Sequence, residues 1–134
     1  VADLPSEITF THAALLALSK LPGVRVWRQN AGKILTRSGG RERVFEAAPP
    51  GAADISGIVG PEGWRLEIEM KMPRGKRSDA QEAWAAMCAK HGALYLLFGY
   101  HAEKSLETNV AELRAVLSAK ILLRRQAETE EARA

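Results

Sequence analysis

Cysteine is all but missing. Cys88 is the only one in 134 residues, which excludes an intramolecular disulfide and any cysteine-rich zinc site and makes an intracellular, cytoplasmic location the expectation. No apolar run approaches the roughly 20 residues of a membrane span, and nothing at the start has the form of a signal peptide, so no membrane partner is expected. Histidine is scarce as well: His12, His91 and His101 have no metal-ligand spacing. The glycines around Ser38-Gly39-Gly40 and Pro73-Arg74-Gly75-Lys76 lack the pattern of a nucleotide-binding loop, so no nucleotide cofactor is expected. No repeats are seen, and no second domain is expected within these residues.

What is present fits one compact α/β domain over residues 1 to 126 with a charged tail at 127 to 134. Apolar residues make up 46% and charged ones 26%, the balance of a globular chain with a real core. The net charge of +3 is modest, but its distribution is not even. Lys20, Arg25, Arg28, Lys33, Arg37, Arg41 and Arg43 face the lone acid Glu42, and Lys71, Arg74, Lys76 and Arg77 form a second cluster without an acid. Such clusters suit a phosphate backbone, or equally a set of solvated loops.

Periodicity orders the elements. Residues 6 to 21 read as a helix with Ser6 as N-cap and Pro22-Gly23 as stop. Ile8, Thr11, Ala14, Leu15, Leu18 and Leu21 share its inward arc, and Glu7 falls inside that arc. Residues 24 to 30 alternate as a strand, 33 to 47 read as a hairpin about Ser38-Gly39-Gly40, and Pro49-Pro50-Gly51 marks a loop. A second hairpin is expected from Asp54–Val59 and Trp64–Met72. In the latter, Leu66, Ile68, Met70 and Met72 alternate with Arg65, Glu67, Glu69 and Lys71. Ser78 and Gln81 have capping-box spacing at the head of a helix whose stripe is Trp84, Met87, Cys88 and His91. Residues 93 to 100 read as a fully buried strand, reached by a right-handed crossover and paired in parallel. A last helix spans 105 to 126 on Leu106, Val110, Leu113, Leu117 and Ile121.

Glu69 and Lys71 lie two apart on one strand and so share a face, which Asp54 can reach across the hairpin. Acid-x-lysine alone is a weak pattern that a solvated strand face also explains. Its setting is more specific. GAADISGIVG, then LEIEMKMPRGKRSDAQEAW, then GALYLL, preceded by Ser6-Glu7 and Trp27-Arg28-Gln29-Asn30, resembles the virus-type replication-repair nuclease domain of the PD-(D/E)xK superfamily. The resemblance spans about residues 5 to 100. Ala53 stands where that family usually has proline, and Met70 where it commonly has valine.

The resemblance implies a restriction-endonuclease-like core, a central mixed sheet flanked by helices. It also implies Mg²⁺, with Mn²⁺ as substitute, held by Asp54, Glu69 and the Met70 carbonyl, with Glu7 approaching directly or through water. Hard carboxylate oxygens suit these ions. Lys71 would orient the attacking water or stabilise the phosphorane charge. Gln81 would project toward the site, although the capping box accounts for it without catalysis. Glu67 has no counterpart in the motif and is expected only to pair with Arg65 or Lys71. The implied activity is hydrolysis of branched or structured DNA, as by a Holliday-junction resolvase. Arg28, Asn30, Lys33, Arg74, Lys76 and Arg77 would contact phosphates, and a homodimer would supply two clefts. A non-catalytic nucleic-acid-binding module on the same fold and a flap or restriction-type nuclease are the alternatives.

Overall fold

The computed structural model describes residues 3 to 29 and 32 to 134, and for residues 32 to 36 and 45 to 47 the backbone alone. The chain forms α1 (Glu7–Leu18), β1 (Val24–Arg28), β2 (Gly32–Ser38), β3 (Arg41–Ala48), β4 (Ile55–Val59), β5 (Trp64–Lys71), α2 (Asp79–Lys90), β6 (Leu94–Gly99) and α3 (Leu106–Arg133). The result is an α/β fold whose mixed four-stranded sheet, in the order β1-β4-β5-β6, is flanked by helices. The β4–β5 pair is antiparallel, and β5–β6 is parallel, as the strand-helix-strand order requires. The β2–β3 hairpin is a separate two-stranded sheet, turning at Gly39-Gly40.

Each helix starts on a serine. Ser6, Ser78 and Ser105 are extended N-caps whose hydroxyls accept from the amides of Thr9, Gln81 and Thr108, satisfying donors that a helix start leaves open. Leu66, Ile68 and Met70 of β5 pack with Phe10, Ala14 and Leu18 of α1 and with Leu113, Leu117 and Ile121 of α3 in the main core. The stripe of α3 is thus the expected one, but the helix continues to Arg133, past its expected end at 126. Arg125 anchors the extension by donating to both Glu62 carboxylate oxygens and to the Gly60 carbonyl, while Arg124 lies 4.3 Å over the Trp64 ring.

Three burial expectations are corrected. On α1, Ile8 is exposed and Phe10 takes the core position, because its ring meets Tyr100 edge-on at 5.0 Å and Phe98 at 5.9 Å. On α2, only Cys88 of the expected stripe is buried, and His91 is the exposed C-cap. The helix overhangs the sheet there, leaving a cavity of about 290 Å³ lined by Trp84, Met87, Cys88 and His91 above Arg65 and Glu67. Strand β6 is not buried throughout: it is an edge strand, and Leu97 is 42% exposed.

Candidate functional site

The charged face of β5 is not a solvated face. Glu67 and Glu69 are 2% and 1% exposed, nearly as buried as Leu66, Ile68 and Met70 on the opposite face. Burying a carboxylate costs several kcal/mol unless it is hydrogen-bonded or paired, so each should be accounted for atom by atom.

Glu67 is satisfied. Arg65 donates to its Oε1 from Nε and a terminal nitrogen at 3.2 and 3.0 Å, and the Ser56 hydroxyl donates to Oε2 at 3.1 Å. The pairing with Arg65 is the expected one. Ser56 as a partner was not foreseen, since it follows from the register that sets Ser56 opposite Glu67.

Glu69 is only half satisfied. Its Oε1 accepts from Gln81 Nε2 at 2.9 Å and lies 3.7 Å from Lys71 Nζ, whereas Oε2 is buried with no partner. Burial first, then the neighbouring Asp54 charge and a hydrogen bond shared with the Asp54 carboxyl, push its carboxyl up to about 8.

Asp54 sits one step before β4. Ile55 pairs with Ile68, so the next step along sets Asp54 beside Glu69. Its carbonyl accepts from Gln29 N at 2.8 Å, and its Oδ2 accepts from Met70 N, also at 2.8 Å. The carboxylate thereby takes over a ladder bond that a backbone carbonyl would make, which fixes its direction. The loop that delivers it is held close to α2: Gly51 has φ of 87°, and a side chain there would collide with the Ala80 carbonyl.

Gln81 proves to be both cap and site residue. Its Oε1 accepts from Ser78 N at 2.9 Å, which closes the capping box, and from Lys71 Nζ at 2.9 Å, while Nε2 faces Glu69. Two donors converge on Oε1, so a flipped amide would set donor against donor. The cap therefore locks the bridge between Glu69 and Lys71. Gln81→Glu should keep the box, since glutamate serves equally at that position, yet it removes the donor to Glu69 and adds a like charge. Little change in melting temperature with a large loss of site function is expected. Ser78→Ala should instead lower stability by about 1 kcal/mol. Circular-dichroism melts of the two variants separate cap from bridge.

Glu7 keeps much of its solvent access, yet partial burial and the adjacent Asp54 raise its carboxyl above the ordinary range, offset by Lys71 and Arg28. Glu7 is thus exposed rather than turned into the core, but it stands on the side of α1 nearest Asp54. Among the described residues, however, no group of three or more His, Cys, Asp or Glu side chains is set to hold a metal ion, so Glu7, Asp54 and Glu69 do not close into a cage. Magnesium asks for less, since it takes one or two carboxylates and keeps several waters. Asp54 and the orphaned Glu69 Oε2 fit that demand.

Of the expected phosphate contacts, Arg28 is exposed near Glu7, Arg74 is exposed with a left-handed φ of 69°, Lys76 is exposed, and Arg77 is half-buried beside the Tyr95 hydroxyl. Asn30 and the Lys33 side chain lie outside the described residues. No helix among the described residues is long and apolar enough to cross a membrane. No protein-family model, no curated protein and no solved structure matches the chain.

Proposed function

We propose that this chain is a metal-dependent deoxyribonuclease built on a PD-(D/E)xK core. The observation that carries the reading is the buried Glu69 oxygen left without a partner beside Asp54, when every other polar atom of Glu69, Gln81 and Lys71 named above is engaged. With Asp54 close enough to share a proton with Glu69, a divalent cation replacing that proton would satisfy both carboxylates at once.

Asp54, Glu69 and the Met70 carbonyl would hold Mg²⁺ or Mn²⁺, with Glu7 reaching it through water. The bound ion would supply Lewis acidity toward a phosphodiester oxygen and toward an attacking water. Gln81 keeps Lys71 Nζ within 3.7 Å of Glu69, and with a phosphodiester bound there its positive charge would offset the charge growing on the phosphorus oxygens. Arg28, Arg74, Lys76 and Arg77, with Asn30 and Lys33, would position the backbone without reading sequence.

Branched or structured DNA is the proposed substrate. Cutting two strands symmetrically needs two clefts, hence a homodimer, for which exposed Leu16, Leu122 and Leu123 offer apolar surface. The test is incubation with labelled duplex, flap and four-way-junction DNA in Mg²⁺, Mn²⁺ or chelator. Cleavage is expected with either metal, fastest on branched forms, and none in chelator. No cleavage of any form at micromolar protein, or cleavage that survives chelation, would overturn the reading.

A further inference from the structure

Across β5 from Asp54, on the β6 side, the charged face continues into an open cleft of about 520 Å³. Strand register makes the continuity explicit: Glu69 pairs with Leu97, and Lys71 pairs with Gly99. Leu97 and Gly99 line the cleft together with Lys71, Gly75, Lys76 and Arg77. Three cations thus border it against one acid, Glu82.

Two glycines shape this space. Gly75 lets the loop after β5 lie against the site, because a Cβ there would stand 3.0 Å from the Met72 carbonyl and 3.4 Å from the Lys71 side chain. Gly99 acts in the opposite sense. It does not have a left-handed φ, and a Cβ built on it meets nothing within 4 Å. Neither its backbone nor its neighbours require glycine, and its effect is to leave the ground beside Lys71 open. Next to that gap, Leu97 presents an apolar surface 42% exposed.

Cations beside an exposed apolar floor match a nucleotide whose base is not hidden in a duplex. A paired strand offers its phosphates to such a cleft and keeps its base faces stacked, so Leu97 would gain nothing from it; an unpaired nucleotide offers both. We propose that this cleft takes the unpaired nucleotide adjoining the scissile phosphate, so that single-stranded segments next to a branch point are the preferred substrate. The proposal rests on the nuclease reading for the word scissile, but the binding it describes needs no metal.

The experiment is therefore done in chelator. Fluorescence anisotropy compares a labelled single-stranded oligonucleotide with a blunt duplex of equal length, for the parent chain, Gly99→Val and Leu97→Ser. Valine suits an edge strand and fills the gap, while serine at an exposed position removes only the apolar floor and guards against a folding defect in the first variant. Both variants should melt like the parent and lose about 10-fold in affinity for the single strand, against less than about 2-fold for the duplex. Equal losses on both ligands, or unchanged single-strand binding in folded Gly99→Val and Leu97→Ser, would overturn the cleft. The two readings fail separately. A parent chain that shows the selective loss but never cuts DNA keeps the cleft and forfeits the nuclease; one that cuts while both variants bind normally does the reverse.

Discussion

Lys71→Ala is expected to lower DNA cleavage by about 10²-fold or more while leaving the melting temperature close to that of the parent chain. The side chain is 20% exposed, and its partners are Gln81 Oε1 at 2.9 Å and Glu69 at 3.7 Å, so its removal empties no part of the main core. It does remove the cation that, among the described residues, lies against the buried Glu69 carboxylate. Asp54→Asn and Glu69→Gln should lose activity to a similar extent for a different reason, the loss of a charged oxygen ligand. Asparagine can still accept from Met70 N, as Asp54 does now, so the fold at the head of β4 should survive. Single-turnover cleavage beside a circular-dichroism melt reads both halves of the expectation. Near-parental cleavage by Lys71→Ala would remove the lysine from the site.

Metal-free protein should lose stability as pH rises from about 4.5 toward 8, and a divalent cation should restore it. Glu69 binds its proton more tightly when folded than a carboxyl does at its ordinary value of 4.5, with a folded value of about 8. A group raised in this way stabilises the fold below its unfolded pKa, and that contribution is lost as pH climbs through the folded pKa. A cation on Asp54 and Glu69 reverses the sign, since it binds the deprotonated carboxylate. Stabilisation by Mn²⁺ should therefore grow with pH, reaching about 2.7 kcal/mol when the free ion is at 100 times its dissociation constant. Glu69→Gln should remove most of the pH trend, leaving the smaller share of Glu7, and abolish the response to metal. Thermal melts at pH 6 and pH 8, with Mn²⁺ and with chelator, check all of this. A parent protein equally stable at both pH values and indifferent to Mn²⁺ would contradict the orphaned oxygen as a metal ligand.

Much of this arrangement was legible in the chain itself, because its signals are local. The capping box, the alternation of β5, the strand-helix-strand order and the stripe of α3 each depend on residues a few positions apart, and each is found in the fold. The placement of Asp54 beside Glu69 needed only the hairpin. What local signals did not carry was which faces become covered. The alternation of β5 suggested one wet face, yet α2 folds over it and buries Glu67 and Glu69. The apolar run of β6 suggested full burial, yet its place at the sheet edge leaves Leu97 open. On α1, Phe10 shares the i, i+4, i+8 line of Ala14 and Leu18, so the arc that took in Ile8 was drawn too far to one side, and the partners at Phe98 and Tyr100 lie on the Phe10 side. Gly99 carries no signal at all until register sets it beside Lys71. Gln81 shows the limit from the other side: cap and site residue looked like rival readings, and the geometry joins them in one amide.

The central claim, that Asp54 and Glu69 hold a divalent cation, is tested most directly by a crystal soaked in Mn²⁺ and measured near the manganese absorption edge. One strong anomalous peak is expected within coordination distance of Asp54 and of Glu69 Oε2, about 2.0 to 2.3 Å for a hard cation on oxygen ligands, and absent from Glu69→Gln crystals soaked in the same way. Saturating Mn²⁺ that leaves this position empty in the parent crystals, or a peak there that persists in Glu69→Gln, would contradict the claim.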